Sequence, residues 1–328
     1  MRLLQHIKQL LRPSNQTFIA ANALIGRFKH PVWVIGAGRS GTTWLCNLMC
    51  SRLKYRFLFE PFQASHNPEA NFLPSHYYLR PGESNPKLEE LANKIFRGKE
   101  YFPGSDPVNK HKLFDGLLVK DISANLFSYA LSQSKPEIDP VLILRNPFAV
   151  ALSRKNKPEW RWFNEPEEFL NQEYLVLDYL DPYKKLILKI SKSDDFILKQ
   201  ILIWAVINQV PLRQFSANQL QIVFYEDLLQ HTNRELQRLE RSLRSHSDDS
   251  KTPLLNDVKY QPSKTTGLTS SELRKKSPSD WQKHVSKKQI SRGARILEQF
   301  GLNFLYDENG NPAVSAAEIL TRIQNNHN

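Results

Sequence analysis

Short apolar runs, rich in β-branched and aromatic residues, alternate along this chain with longer segments in which apolar residues recur at helical spacing. The short runs predict buried strands at 32–36, 56–60, 116–120, 141–145 and 221–225. The longer segments predict helices at 41–53, 123–132, 148–155, 197–215, 233–243 and 287–299. This alternation is typical of the α/β class, in which helices cover both faces of an open parallel sheet.

The pattern divides the chain into three predicted parts. Residues 1–30 begin with an amphipathic helical segment, whose apolar side chains are Leu3, Leu4, Ile7, Leu10 and Leu11. Such a segment docks on its own protein or makes a weak contact with a membrane surface. Residues 31–306 form the main domain, and residues 307–328 form a C-terminal tail. Within the main domain, residues 63–112 are rich in Pro, Asn and aromatic residues and predict a cap insertion.

The composition is that of a packed protein, with 40% hydrophobic and 24% charged residues. The two cysteines, Cys46 and Cys50, lie one helical turn apart and have no nearby Cys or His partner, so we expect apolar packing and no metal. No run reaches the roughly 18 apolar residues that span a bilayer, and no cleavable signal is recognised. We therefore expect a cytoplasmic protein.

Positive charge is unevenly distributed. The chain has 45 Lys plus Arg against 33 Asp plus Glu, and residues 231–292 alone hold 14 of the basic and 7 of the acidic residues. This concentration indicates a solvated basic face, a nucleic-acid patch or a pocket for a small polyanion. Arg274, Lys275 and Lys276 have no interleaved aromatic residues and no recognised nucleic-acid fold around them. We therefore expect no nucleic-acid partner.

Chemically active residues follow the predicted strands. In open parallel sheets, ligands bind beyond the carboxyl ends of the strands. The first strand runs into a glycine-rich loop, and the four later strands end in other polar or charged residues: Glu60, Lys120 with Asp121, Arg145, and Tyr225 with Glu226 and Asp227. Glu226 and Asp227 also suit the first turn of a helix, because the helix dipole favours acids there. Five such strand ends indicate a ligand site at this edge.

The glycine-rich loop partly fits two nucleotide-binding motifs. Gly36, Gly38 and Gly41 spell the G-x-G-x-x-G of dinucleotide-binding folds, and Glu60 follows 19 residues after Gly41, near the expected ribose-binding acid. Gly36 and Gly41 also have the spacing of the ATP-binding P-loop, but Thr42 stands where that motif requires Lys. A dinucleotide-dependent oxidoreductase is therefore one alternative.

The same loop also suits an anion that is held without a metal. A P-loop-like turn from strand to helix exposes several backbone N–H groups at the helix N-terminus. Arg39 adds a fixed positive charge, while Ser40, Thr42 and Thr43 add hydroxyl donors. Trp44 supplies an apolar face on which a base could stack, and this role is compatible with packing in the core. The loop therefore predicts a site for a strongly anionic 5′ group.

Arg145 and Ser153 predict a second phosphate site. They lie eight residues apart across a helix that Pro147 begins, so both can reach one phosphate. The nucleotide 3′-phosphoadenosine 5′-phosphosulfate (PAPS) carries a 3′-phosphate that ATP and NAD lack. Two separate phosphate sites therefore fit PAPS.

With these motifs, the sequence resembles the PAPS-dependent sulfotransferases. Their 5′-phosphosulfate loop is similar to RSGTTW at 39–44, and their 3′-phosphate motif is similar to Arg145 with Ser153. FLFEP at 57–61 and RNPFAV at 145–150 resemble the carbohydrate sulfotransferases. The resemblance implies the sulfotransferase fold over 31–306, PAPS as co-substrate without a metal, and sulfuryl transfer to a hydroxyl of a carbohydrate. The aromatic and polar residues of 63–112 suit either a sugar acceptor or an ordinary cap core, and we expect this insertion on the acceptor side.

The resemblance also implies which residues form the site. The implied nucleotide-binding residues are Gly38, Arg39, Ser40, Gly41, Thr42, Thr43, Trp44, Arg145, Ser153, Tyr225, Arg274 and Lys275. Residues 262–266 are a second candidate for the basic loop that covers the nucleotide. Glu60 is implied as the general base, with Lys120 and Arg39 stabilising charge. The rival bases are His66 and Asp121, although Asp121 should point away from Lys120, because successive strand residues face opposite sides.

Two alternatives from other classes stay open. One is an NAD(P)-dependent oxidoreductase that uses the glycine-rich loop. The other is a basic protein that binds nucleic acid or an acidic membrane surface. Golgi carbohydrate sulfotransferases carry an N-terminal transmembrane anchor, and we find no such segment here, which favours a cytosolic enzyme of bacterial type.

Overall fold

Five parallel strands form the centre of the protein. The computed structural model describes residues 15–106, 109, 111–157, 159, 163–244 and 277–325. Its strands are β1 (Val32–Gly36), β2 (Tyr55–Phe59), β3 (Gly116–Asp121), β4 (Asp139–Leu144) and β5 (Gln221–Phe224). They pair in parallel in the order β2-β3-β1-β4-β5. The predicted fold class and all the predicted strands are confirmed, with the bounds of β1 as predicted and those of the other strands shifted by at most two residues.

Helices precede, connect and follow these strands. They are α1 (Asn15–Leu24), α2 (Thr42–Arg52), α3 (Pro86–Arg97), α4 (Ser128–Ser134), α5 (Pro147–Lys155), α6 (Lys184–Ser191), α7 (Phe196–Gln214), α8 (Tyr225–Gln230), α9 (Thr232–Arg244), α10 (Lys287–Gln299) and α11 (Ile319–Asn325). Short helical turns at Pro166–Asn171, Glu173–Leu175 and Val176–Leu180 lie between α5 and α6. In the part of the chain that the structure describes, no helix has the length and apolar character needed to cross a membrane.

The predicted helices correspond to α2, α4, α5, α7, α9 and α10. α4 begins at Ser128 rather than at 123, because two serine side chains hold the preceding residues in turns. Ser123 Oγ donates to Asp121 at 3.2 Å, and Ser128 Oγ donates to the Asn125 carbonyl at 2.9 Å. The sequence did not predict α3, α6 or α11 as helices, and of α8 it indicated only the first turn, at Glu226 and Asp227. The amphipathic helix predicted at the start of residues 1–30 lies outside the described residues.

Both faces of the sheet are buried, as is usual for parallel sheets. Every residue of β1 is buried, with Val34 facing α2 and Trp33 and Ile35 facing the opposite layer. Trp204 of α7 packs in that opposite layer. Most residues of α7 are buried, which explains why its sequence is apolar around its whole circumference.

The 63–112 insertion shares the core of the main domain. Within it, Asn85 caps α3 by accepting the Leu88 N–H at 3.1 Å, and the helix ends at Gly98, whose φ is 61°. Phe96 of α3 packs edge-on against Trp33, with 5.1 Å between the ring centroids. This aromatic side chain of the insertion therefore serves as core.

A buried ion pair fastens the insertion to β2. Arg56 is fully buried, and its Nε and Nη2 donate to the two Asp106 carboxylate oxygens at 2.9 and 2.6 Å. Arg56 also donates to the Gly98 carbonyl at 2.6 Å and to the Glu100 carbonyl. Asp106 in turn accepts the Phe102 N–H at 2.8 Å. The pair thus holds the end of the insertion against the edge strand.

Replacing Arg56 by Ala should cost about 3–5 kcal/mol of unfolding free energy, because it leaves the Asp106 carboxylate buried without its cation. Chemical denaturation at neutral pH measures this loss. Lys99→Ala, at an exposed residue of the same segment, is the control and should change stability by less than about 0.5 kcal/mol. The double variant Arg56→Met with Asp106→Leu should regain most of the loss. A loss below about 1 kcal/mol for Arg56→Ala would contradict a fastening role.

Candidate active site

The loop between β1 and α2 crosses the carboxyl end of the central strand. Arg39 and Gly41 adopt left-handed conformations, with φ of 74° and 95°. A Cβ atom on Gly41 would lie 2.6 Å from the Tyr225 ring, so both the conformation and the space require glycine. α2 begins directly afterwards at Thr42. The loop therefore has the strand–loop–helix geometry that exposes backbone N–H groups to an anion.

The side chains of this loop are held at different depths. Gly38, Ser40 and Thr42 are buried, whereas Arg39 and Thr43 are half-buried. The buried Ser40 hydroxyl has no hydrogen-bond partner among the described residues. A buried hydroxyl without a partner is costly unless a ligand oxygen can bind it. Ser40 thus fits the anion site that the sequence predicts.

Strand order places a crevice beside this loop. β1 pairs with β3 on one side and with β4 on the other. α2 packs on one face of the sheet and α5 packs on the opposite face. The chain segments that leave β1 and β4 therefore diverge, and their divergence opens a ligand crevice at the carboxyl edge.

The two predicted phosphate sites meet in this crevice. Arg39 Nε donates to Ser153 Oγ at 3.1 Å, and Arg145 Nη1 donates to the Arg39 carbonyl at 2.9 Å. Burial lowers the pKa of Arg39, and the nearby Arg145 charge lowers it further. Two guanidinium groups that repel each other are stabilised by an anion between them. The cluster of Arg39, Arg145 and Ser153 is therefore suited to bind phosphate.

Tyr225 and Trp44 have different positions. The Arg145 Cζ lies 4.3 Å from the centroid of the Tyr225 ring, in a cation–π contact at the crevice. Trp44 packs edge-on against Tyr225 with ring centroids 5.4 Å apart, and only 2% of Trp44 is exposed. The structure therefore shows Trp44 packed in the core behind Tyr225.

A cavity of about 430 Å³ opens beside the crevice. Arg39, Arg145, Ser153 and Tyr225 line one side, and parts of residues 277–284 line the other. Within that second wall, Trp281 stacks on Phe148 of α5, with ring centroids 4.6 Å apart and an angle of 11° between the rings. The predicted covering-loop residues Arg274 and Lys275, and the alternative segment 262–266, lie outside the described residues.

Glu60, Lys120 and His66 form a second cluster. Lys120 is 1% exposed, and its Nζ donates to Glu60 Oε1 and lies 4.4 Å from the centroid of the Phe59 ring. The other carboxylate oxygen, Glu60 Oε2, lies 3.6 Å from His66 Nε2. Glu60 has a φ of 50°, and its N–H donates to the Lys120 carbonyl at 2.7 Å. The structure therefore brings the predicted base, its cation and one rival base together.

The two clusters lie on either side of the glycine-rich loop. Lys120 is in β3 and Arg145 follows β4, and these strands flank β1. A group bound at the end of β1 would therefore have positive charge from both neighbouring strands. This is the arrangement that stabilises negative charge on a leaving group.

Asp121 points away from Lys120, as predicted from strand alternation. Its carboxylate is fully buried and accepts the Phe62 N–H at 3.0 Å and the Ser123 hydroxyl at 3.2 Å. Burial, with a contribution from the nearby Glu60 charge, raises the pKa of Asp121 to about 7. Asp121 therefore stabilises the turn after β3.

Sequence reasoning missed the role of Glu226. Its position in the first turn of α8 is as predicted, but its side chain is 2% exposed and accepts the Asn146 N–H at 3.0 Å. Burial raises the pKa of Glu226 to about 7. Asn146 follows Arg145 and caps α5 by accepting the Phe148 N–H at 3.0 Å. Glu226 therefore holds the turn that carries Arg145, and its adjacency to Tyr225 was the available sequence signal.

The strand order is inconsistent with the dinucleotide alternative. In dinucleotide-binding folds the second strand pairs with the first, which brings its terminal acid to the ribose. Here β3 separates β2 from β1, so Glu60 is two strands away from the glycine-rich loop. Its carboxylate is instead bound to Lys120. Across the described ranges, no group of His, Cys, Asp or Glu side chains has a metal-binding arrangement.

Among solved structures, the chain is similar to several sulfotransferases of low sequence identity. A sulfotransferase from Alicyclobacillus acidocaldarius is 14% identical, with a TM-score of 0.39, over 82% of this chain and 95% of that one. The sulfotransferase domain of the Synechococcus PCC 7002 olefin synthase is 14% identical, with a TM-score of 0.41, over 84% and 95%. Mouse sulfotransferase SULT7A1, complexed with PAP, is 15% identical, with a TM-score of 0.35, over 93% and 95%.

No curated protein sequence matches the chain significantly. The sulfotransferase domain model, by contrast, matches residues 29–300, which is most of the chain. This match covers the glycine-rich loop, both clusters and the turn that carries Arg145. The chain therefore belongs to the sulfotransferase domain family and is a sulfotransferase.

Proposed function

We propose that the protein binds PAPS across the crevice between β1 and β4 and transfers its sulfuryl group to a hydroxyl of a carbohydrate. The convergence of Arg39, Arg145 and Ser153 carries the nucleotide half of this proposal. These residues come from separate segments of the sequence. Their convergence places two guanidinium groups and a hydroxyl beside the cavity that Tyr225 lines.

Charge and shape support this crevice as the nucleotide site. Arg145 and Ser153 would hold the 3′-phosphate, and the loop from Gly38 to Thr43 would hold the 5′-phosphosulfate through its N–H groups and hydroxyls. Tyr225 would contact the adenine. Bound PAPS supplies the sulfuryl group, while its 5′-phosphate stays on the nucleotide.

The chemical step divides between the two clusters. Glu60 would accept the proton of the acceptor hydroxyl as the oxygen attacks sulfur. Lys120 holds Glu60 Oε1, so Oε2 is the oxygen left for the proton. Arg39 and Lys120 would stabilise the negative charge that builds on the leaving phosphate. Glu60 and Lys120 lie on the β3 side of the loop, whereas the proposed 3′-phosphate site lies on the β4 side. The acceptor should therefore enter on the β3 side, beside His66.

A carbohydrate acceptor is supported by motif and by surroundings. The segments 57–61 and 145–150 resemble carbohydrate sulfotransferases and carry Glu60 and Arg145. His66, whose side chain is 32% exposed, marks the accessible side of the Glu60 cluster. Its ring packs edge-on against Phe59, with 4.9 Å between centroids. A partly exposed polar and aromatic rim of this kind suits a sugar hydroxyl.

Adenosine 3′,5′-bisphosphate (PAP) should raise the melting temperature clearly more than AMP or NAD, without added magnesium, because it alone fills both phosphate sites. At 100 times its dissociation constant, a ligand stabilises by about 2.7 kcal/mol, which is easily measured.

Replacing Arg145 by Ala removes a charge-assisted contact worth roughly 1.5–3 kcal/mol. Affinity for PAP should then fall by about tenfold or more, while affinity for AMP changes little.

Lys157→Ala is the matched control, because Lys157 lines the same cavity without belonging to the Arg39 cluster. It should leave PAP affinity within about twofold of wild type. Equal losses of PAP and AMP affinity in Arg145→Ala would show that Arg145 only maintains the fold. A thermal shift with NAD and none with PAP would contradict the proposed nucleotide site altogether.

Glu60→Gln should lower turnover by about 10²–10⁴-fold, because it keeps the shape of the side chain and removes its basicity. Turnover is measured as PAP release from PAPS over a panel of mono- and oligosaccharides, with a simple phenol for comparison. PAP affinity should stay near wild type, and this unchanged affinity verifies that the variant is folded. Phenol as the sole acceptor would contradict the carbohydrate assignment.

His66→Ala and Asp121→Asn are the matched comparisons for Glu60→Gln. Each removes one of the two rival bases, and neither should abolish turnover if Glu60 is the base. Full activity of Glu60→Gln together with loss of activity in either comparison variant would assign the base elsewhere. Loss of PAP binding in Glu60→Gln would instead show a structural role.

Asp121 makes stability depend on pH. Its pKa is about 7 in the folded protein, above the usual value of 3.8, so the folded state retains this proton between those values while the unfolded state releases it. Raising the pH from about 4 to 7 should therefore reduce stability, by about 1.4 kcal/mol for each unit of pKa elevation. Asp121→Asn should flatten this part of the profile of unfolding free energy against pH. An unchanged profile would show that Asp121 is ionised in the fold.

A further inference from the structure

Three apolar side chains are strongly exposed where α1 ends. Leu24 is 88% exposed, Ile25 is 60% exposed and Leu113 is 65% exposed, which places them among the most exposed large apolar residues of the described chain. Exposed apolar residues that stand alone are ordinary, but a group of them marks an interaction surface. These three residues are named the α1 patch.

Hydrogen bonds from one buried side chain bring the patch together. Asn22 is fully buried, and its Nδ2 donates to the Lys112 carbonyl at 2.7 Å while its Oδ1 accepts the Phe114 N–H at 2.8 Å. Leu113 therefore lies between two residues that are tied to Asn22. Leu24 and Ile25 follow Asn22 within one helical turn. The patch is thus a fixed feature of the fold.

The surroundings of the patch are basic. Arg27, Lys29 and Lys112 are exposed next to it. The first 59 residues of the chain contain no Asp or Glu, and the first acidic residue, Glu60, is buried at the other edge of the sheet. The nearest acid in sequence to Leu113 is Asp115, which is exposed and accepts the backbone N–H of Lys54 at 2.8 Å, so the three cations near the patch outnumber it. An apolar patch with a cationic rim is the chemistry that binds anionic lipid.

The patch lies at the edge of the sheet opposite the active site. It adjoins the segments that lead into β1 and β3, whereas the crevice lies where these strands end. With a rise of about 3.3 Å per residue, five-residue β1 separates the two edges by about 16 Å. A large surface could therefore cover the patch and leave the crevice open.

We propose that the α1 patch docks the protein on an anionic membrane surface. Leu24, Ile25 and Leu113 would enter the boundary between headgroups and acyl chains, and Arg27 and Lys29 would contact lipid phosphates. A second copy of the chain is disfavoured, because a two-fold interface would bring the same basic rims together. Residues 1–14 hold three basic and no acidic residues, so charge disfavours their packing against the same basic rim.

Co-sedimentation of the full chain with vesicles tests this proposal. We expect binding to vesicles that contain phosphatidylserine, weaker binding to pure phosphatidylcholine, and release at high salt. The double variant Leu24→Ser with Leu113→Ser should bind anionic vesicles about tenfold or more weakly. Arg27→Glu with Lys29→Glu should also weaken binding, because it reverses the charge of the rim.

Leu177→Ser with Leu188→Ser is the matched control. These residues are 60% and 42% exposed but lie far along the chain from the patch, and their replacement should leave vesicle binding unchanged. All variants should keep the wild-type thermal shift with PAP, which separates this proposal from the nucleotide site. Vesicle binding that survives the Leu24 and Leu113 replacements would overturn the proposal. Absence of wild-type binding to anionic vesicles would also overturn it. Self-association of the wild type that these replacements abolish would overturn it as well.

Discussion

The parallel pairing of β1 with both β3 and β4 is the constraint on which the site depends. Parallel strands end at the same edge, so the residues that follow these three strands are brought together without any sequence proximity. Arg39 follows β1, Lys120 lies at the end of β3 and Arg145 follows β4. If β2 paired with β1 instead, Glu60 would lie beside the glycine-rich loop and Lys120 would be displaced. The strand order therefore determines which charges face the loop.

Clustered positive charge at this edge is stabilised in three different ways. Lys120 is bound by the Glu60 carboxylate, and Arg145 lies over the Tyr225 ring and donates to the Arg39 carbonyl. Burial and the Arg145 charge both lower the pKa of Arg39, while the Glu159 charge and Tyr225 act in the opposite direction. An anionic ligand would relieve this repulsion as it binds. The site thus stores unfavourable electrostatic energy that favours occupation by a polyanion.

Strands, class and phosphate motifs are predictable from the sequence because they are local. Alternating apolar runs located the strands, and the segment from Gly36 to Trp44 defined the loop. The spacing of Arg145 and Ser153 likewise lies within one turn-and-helix unit. Strand order is not local, so the sequence could not show that β3 separates β2 from β1. It therefore left the dinucleotide alternative open.

The missed features share a dependence on distant contacts. Glu226 is close to Tyr225 in sequence, but its function comes from the Asn146 N–H, which is 80 residues away. Arg56 and Asp106 are 50 residues apart and become an ion pair only when the insertion folds onto β2. Trp44 was ambiguous for a related reason, because an aromatic residue beside a glycine-rich loop can face either the ligand or the core. Only the packing of Tyr225 decides between these positions.

Glu60 shows how backbone and side-chain requirements combine at the catalytic edge. A φ of 50° costs a residue with a side chain about 1–3 kcal/mol, so glycine would be favoured for the turn alone. Glycine, however, has no carboxylate. The Lys120 carbonyl accepts the Glu60 N–H, and the Lys120 ammonium binds the Glu60 carboxylate. One residue of β3 thus fixes both the strained backbone and the side chain, and the proposed base is held in place by the same lysine that would stabilise the leaving group.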